Sequence, residues 1–149
     1  MSHVNTNFKP FFDLLYSRIR ANTSVTAYVH QNSIHQFMKM PLTQLDVPGV
    51  NIYPTEDVTR NLNIGGSKYH TYTFTISIND YTNPDNLHLI SIVDAVYDEV
   101  EELRKNSSAQ AYIVDVMPAR TRYDFAPWYE NAMLTFATIT VVAESEERD

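Results

Sequence analysis

Lys68–Asn79, KYHTYTFTISIN, is the longest run of strict alternation in the chain. His70, Tyr72, Phe74, Ile76 and Ile78 point one way, and Tyr69, Thr71, Thr73, Thr75 and Ser77 point the other, which is the period-two pattern of a strand with one apolar face. A strand of about ten residues cannot bury that face alone, so it calls for partner strands and at least one covering helix. Just before it, Asn61–Gly66, NLNIGG, supplies glycines suited to a tight reversal into the strand.

Upstream, Phe8, Phe12, Leu15 and Ile19 recur at helical spacing, with Phe11 and Leu14 broadening the stripe. Thr6 or Asn7 is the expected cap, Pro10 fits the first turn, and the helix should end near Arg20, before the polar segment Ala21–Ser24. Val25–His30 and Ile34–Met38 read as short strands around a polar turn at Gln31–Ser33, and Val50–Tyr53 as a strand ended by Pro54. The segment Pro54–Gly66, poor in apolar groups, reads as a projecting loop or as part of a long hairpin with the strand quoted above. Downstream, Asn83-Pro84-Asp85 opens a second helix of about twenty residues. Leu89, Val93, Val96, Val100 and Leu103 form its apolar face, with Asp98, Glu99, Glu101 and Glu102 on the outer side. Ala109–Met117 is a further strand ended or interrupted by Pro118, Arg120–Trp128 is irregular, and Ala132–Ala143 is a last strand with both faces partly covered.

At 149 residues the chain is long enough for one domain, residues 1–149, with its own core. There is no cysteine, which excludes disulfides, thiol nucleophiles and Cys-based zinc sites. The formal charge of -7 opposes binding to nucleic-acid phosphates. No run approaches the roughly 18 apolar residues of a membrane span, and MSHVNTNFK lacks the basic and apolar regions of a signal peptide, so synthesis in the cytoplasm is expected.

Motifs for chemistry are weak. The five histidines form no HExxH, although His30 and His35 would approach one another across a hairpin and could then share a metal; His70, on an apolar face, reads as a hydrogen-bonded core group. There is no GxSxG, and Gly65-Gly66-Ser67-Lys68 lacks the phosphate-loop spacing and precedes a strand. Glu56-Asp57, and Asp80 with Asp85, are acidic pairs that could hold magnesium, but such pairs are common on surfaces. No catalytic, metal or cofactor residue is assigned. The interaction-like stretch is Arg120, Arg122, Tyr123, Phe125 and Trp128, since arginine and aromatic groups are enriched where interfaces concentrate their energy.

Taken together, the N-terminal amphipathic helix, the proline-flanked strand PGVNIYP at Pro48–Pro54, the long strand YHTYTFTISI, the NPDNL helix start and the closing RYDFAPWYENAMLTFATITVVAE at Arg122–Glu144 form a distinctive order. This layout, over roughly Phe8 to Glu144, resembles the tail terminator proteins of long-tailed bacteriophages, also described as minor tail protein U or tail-to-head joining proteins. The resemblance implies an α+β fold: a mixed, mainly antiparallel sheet with two main helices packed on one side and a projecting hairpin or loop. It also implies a non-enzymatic virion protein at the head-proximal end of the tail, forming a hexameric ring. That ring would cap the tail tube protein, end its polymerisation and meet a head completion or neck protein, while DNA passes through the lumen without specific binding. On this reading Arg60 and Lys68 at the projecting segment, and Arg120, Arg122, Phe125 and Trp128 at the aromatic-basic stretch, are the contact residues. Another head-tail connector or neck protein fits the same layout, and a small cytoplasmic enzyme is the alternative from a different class.

Overall fold

The computed structural model describes residues 7–37, 47–61, 66–82, 88–127 and 133–147. The elements are α1 (Phe8–Ala21), α2 (Thr23–Thr26), β1 (Ile34–Gln36), β2 (Gly49–Asn61), β3 (Lys68–Thr82), α3 (His88–Leu103), α4 (Ser107–Gln110), β4 (Asp115–Pro127) and β5 (Met133–Glu147). They build a five-stranded sheet in the order β1-β2-β3-β5-β4. Only β1 and β2 run parallel; the other neighbours are antiparallel. The sheet is thus mixed and mainly antiparallel, with α1 and α3 packed on one side, as expected.

The quoted alternation sets the layers. Tyr72, Phe74, Ile76 and Ile78 of β3 are fully buried on the helix face, beside Ala143, Val141, Ile139 and Ala137 of β5 in register. Helix α1 lays its aromatic stripe on them: the Phe8 ring stacks on Phe74 at 5.5 Å and meets Tyr72 edge-on at 5.1 Å, and Phe11 meets Phe74 at 5.6 Å. Helix α3 adds Ile92, Val93, Val96, Val100 and Leu103. Such burial of interdigitated apolar side chains is the main stabilising term of the fold.

Several local readings change. Asn7 donates its side-chain amide to Ser145 Oγ and the Glu146 carbonyl, tying the start of α1 to β5, and makes no side-chain cap. The stretch read as a strand at Val25–His30 begins as the helical turn α2, because the Asn22 side chain accepts from the Ser24 and Val25 amides. Pro54 does not end β2, which continues to Asn61 through a bulge and pairs with β3, so Pro54–Asn61 follows the long-hairpin alternative and not the projecting loop. Gly66, at φ 96, supplies the left-handed backbone that leads into β3. The strand expected at Ala109–Met117 opens as α4, and only from Asp115 is it extended. Pro118 sits inside β4 at a second bulge, and the Arg120–Trp128 stretch read as irregular is strand as far as Pro127. Glu99 is not on the solvent side of α3: it is 8% exposed and accepts from Arg18 at 3.3 Å. The capped start expected at Asn83-Pro84-Asp85 lies outside the described residues.

Candidate assembly interface

Edge strands are where a sheet can extend into another chain. On one side, β1 covers only Val50–Ile52 of β2. From Tyr53 to Asn61 the outer side of β2 has no partner strand among the described residues. On the other side β4 borders β5 alone among the described residues, and no described strand pairs with its outer side along the 13 residues.

The backbone parity of both edges is readable. The Phe37 N–H donates to the Ile52 carbonyl at 2.6 Å, so Ile52 turns its polar groups away from β3. Alternation through the bulge then turns Pro54, Asp57 and Thr59 outward as well. On β4 the amides of Val116 and Phe125 donate to the preceding aspartates, Asp115 and Asp124, at 2.9 and 2.8 Å. These amides face away from β5, which places Val116, Pro118, Thr121, Tyr123 and Phe125 in the outward set. Pro54 and Pro118 occupy outward positions, the only ones in a sheet where a missing N–H breaks no ladder bond.

The residues singled out from sequence fall into two groups. Arg60 lies on the sheet face opposite the helices, exposed, with its guanidinium 5.1 Å from the centre of the Tyr69 ring across the hairpin. The Tyr69 hydroxyl in turn donates to Glu144 at 2.7 Å, and this hydrogen bond to a carboxylate raises its pKa above the usual phenol value. Lys68 is half-buried at the start of β3. Arg120 and Arg122 are exposed on that same face of β4, while Phe125, 69% exposed, projects from the helix face. They stand on an edge strand, not a loop, because β5 pairs with them residue by residue. Trp128 lies outside the described residues. The structure does not bring the two groups together within one subunit. Between Arg60 and Arg122 lie two strands and about eight residues of strand length, roughly 30 Å in all.

Other candidates resolve as structural. His30 accepts the Asn32 amide at 3.1 Å and caps a 3-10 turn at Gln31–Ser33, while β1, carrying His35, pairs in parallel with β2; no hairpin joins the two histidines. His70 is buried, with Nδ1 2.9 Å from Asp57 Oδ1 and 3.2 Å from Thr59 Oγ1, as its position on an apolar face implies. Ser145 is its cross-strand neighbour on β5, so Asp57, His70 and Ser145 superficially match a serine triad. The Ser145 hydroxyl is fully buried and donated to the Tyr112 carbonyl at 2.6 Å, so it faces no substrate. Glu56 and Asp57, adjacent on a strand, point to opposite faces and do not converge on a cation. Asp80 is 3% exposed, and burial raises its pKa, partly offset by the Tyr81 amide it accepts and by nearby His88. Among the described residues no three His, Asp or Glu side chains are grouped to hold a metal.

Sequence reading missed the apolar and acidic members of the edges: Val58, 50% exposed, and Met117, 47% exposed, both on the face opposite the helices, and Glu56 beside Val58. The signal was present as the alternation Glu56, Val58, Arg60, which fits no core and makes sense only on an edge.

The chain has the fold of a chain in a solved structure described as "Virion of native gene transfer agent (GTA) particle", with a TM-score of 0.61 over 89% of this chain and 92% of that one. The two sequences are 14% identical, so the likeness is one of fold. No family model and no curated protein matches the chain.

Proposed function

We propose that this protein is a structural component of a phage-like particle, a tail terminator whose subunits close into a hexameric ring on the tail tube. The observation that carries the reading is the pair of strand edges, on opposite sides of one sheet, that are unpaired among the described residues. Two different edges permit a heterologous contact, and heterologous contacts close into rings when the rotation allows. The near-complete fold likeness to a chain of a gene transfer agent virion supports the same class, as does the order of elements from the first helix to the closing strand.

One face of the ring would meet the last ring of the tail tube protein and stop its growth; the other would meet a head completion or neck protein. The formal charge of -7 suits a lumen through which DNA must slide, since an acidic wall releases no counterions from the duplex. No bond-making step is involved. The test is to incubate the purified protein with tail tubes that are still growing. Tubes of uniform length, each ending in a ring of this chain, are expected. Tubes of uncontrolled length would contradict the reading, and a twelve-fold assembly bound to a portal would favour the neck alternative.

A further inference from the structure

The reading above leaves open which surfaces join, and the two edges carry complementary patterns. On the face opposite the helices β2 presents Glu56, Val58 and Arg60 in succession, while β4 presents Asp115, Met117 and, beyond its bulge at Ala119, Arg120. Laid antiparallel, these give Glu56 against Arg120, Val58 against Met117 and Arg60 against Asp115. On this face each acid meets a base, Asp115 being also held by Arg104 of its own subunit at 3.0 Å, and the two half-exposed apolar groups meet each other. Glu56 and Arg120 form no ion pair among the described residues, so both charges are available to a partner.

We infer that Asp115–Arg122 of β4 pairs antiparallel with Tyr53–Arg60 of β2 in the next copy of this chain, joining the five-stranded sheets edge to edge. Strand direction agrees: β2 runs parallel to β5 and β4 opposite to both, so copies placed side by side with the same face forward meet in antiparallel sense. Backbone parity agrees independently. The same register sets Thr59 against Val116 and Pro54 against Thr121, all residues whose polar groups face outward, as paired positions of an antiparallel ladder require. Asp57 meets Pro118 in this register, so Pro118 and Pro54 each withhold one N–H. The join is therefore short of a full ladder, and side-chain complementarity selects the partner.

Below Tyr53 the added strand reaches β1, which steps the edge outward by one strand. Tyr123 and Phe125 of the incoming β4, 58% and 69% exposed, would lie alongside β1 there, near Phe37, itself 57% exposed. Asp124 falls beyond the complementary segment, and Arg122 meets Tyr53. No like charges stand directly opposite.

This inference rests on the ring reading, and its test separates the two. The absence of cysteine makes disulfide mapping clean. Within one subunit β2 and β4 are three strand spacings apart, about 14 Å, too far for a disulfide. A Val58→Cys, Met117→Cys double variant, oxidised under conditions where the wild type assembles, should therefore give a ladder of covalently linked subunits on a non-reducing gel. Neither single variant should. Glu56→Arg and Arg120→Glu alone should each weaken assembly about tenfold or more, and the two together should restore it. All four positions are at least partly exposed, so the thermal melt should stay at the wild-type value and report that folding is intact. A wild-type ring whose double-cysteine form stays unlinked, or whose assembly ignores both charge reversals, overturns the edge pairing and leaves the ring standing. A wild type that never associates with itself, tubes present or absent, overturns the ring and this contact together.

Discussion

At the scale of residues, the chain holds charges in places where they do structural work or cost stability. Asp80 is buried and accepts the Tyr81 amide at 2.8 Å, and burial raises its pKa above the usual 3.8. A raised acid binds its proton more tightly in the folded than in the unfolded state. Its contribution therefore improves as the pH falls from the raised folded value towards the ordinary one, and above that window the buried carboxylate is a liability. Asp80→Asn keeps an oxygen for the Tyr81 amide and should raise stability at neutral pH by about 1 kcal/mol, or about 3 °C in Tm, while flattening the acid side of the stability profile. Glu99 is the opposite case, a buried carboxylate held by the half-exposed Arg18. Arg18→Ala leaves it without that partner and should cost about 1–2 kcal/mol in urea titration, whereas Arg18→Lys should recover part of the loss. Phe74→Ala removes the ring on which Phe8, Phe11 and Phe12 all converge and should cost about 3–5 kcal/mol by the same measurement.

At the scale of elements, a strand is legible in sequence to the degree that one of its faces must be apolar. The β3 strand announces itself because Tyr72, Phe74, Ile76 and Ile78 all face the helices and are fully buried there. The β4 strand does not, because half of it lies beyond the helices. With Arg120, Arg122 and Asp124 on one face and exposed Tyr123 and Phe125 on the other, neither face has a core pattern, and Pro118 reads as a terminator. The same holds for β2 beyond Pro54. Proline signals a strand end only where the missing N–H would have been used, and at an outward edge position it is tolerated. Thus Arg60, Arg120, Arg122 and Phe125, expected from sequence as contact residues, are exposed, but their placement on two opposite edges needed the register of five strands. Conversely, Val25–His30 has strand-like composition, yet two backbone amides donating to the Asn22 side chain turn its start into helix. If the outward position of Pro118 limits the join between copies, Pro118→Val adds one N–H to it. Sedimentation should then show tighter self-association than the wild type; an unchanged distribution of masses would argue against the outward assignment.

At the scale of the whole molecule, the sheet carries helices on one side, two long antiparallel strand pairs and, among the described residues, an unpaired edge at each side. Its strands reach 15 residues, about 50 Å when extended. That length exceeds what the two helices cover, which is why β2 and β4 both run on past the core into exposed ends. This excess of edge, with His70 and Ser145 committed to internal hydrogen bonds, is what the proposed assembly role rests on. The mass of the purified protein, measured by native mass spectrometry alone and after mixing with tail tubes, tests this most directly. Six copies in a closed ring, formed alone or on the tube, are expected; a lone subunit under both conditions would contradict it.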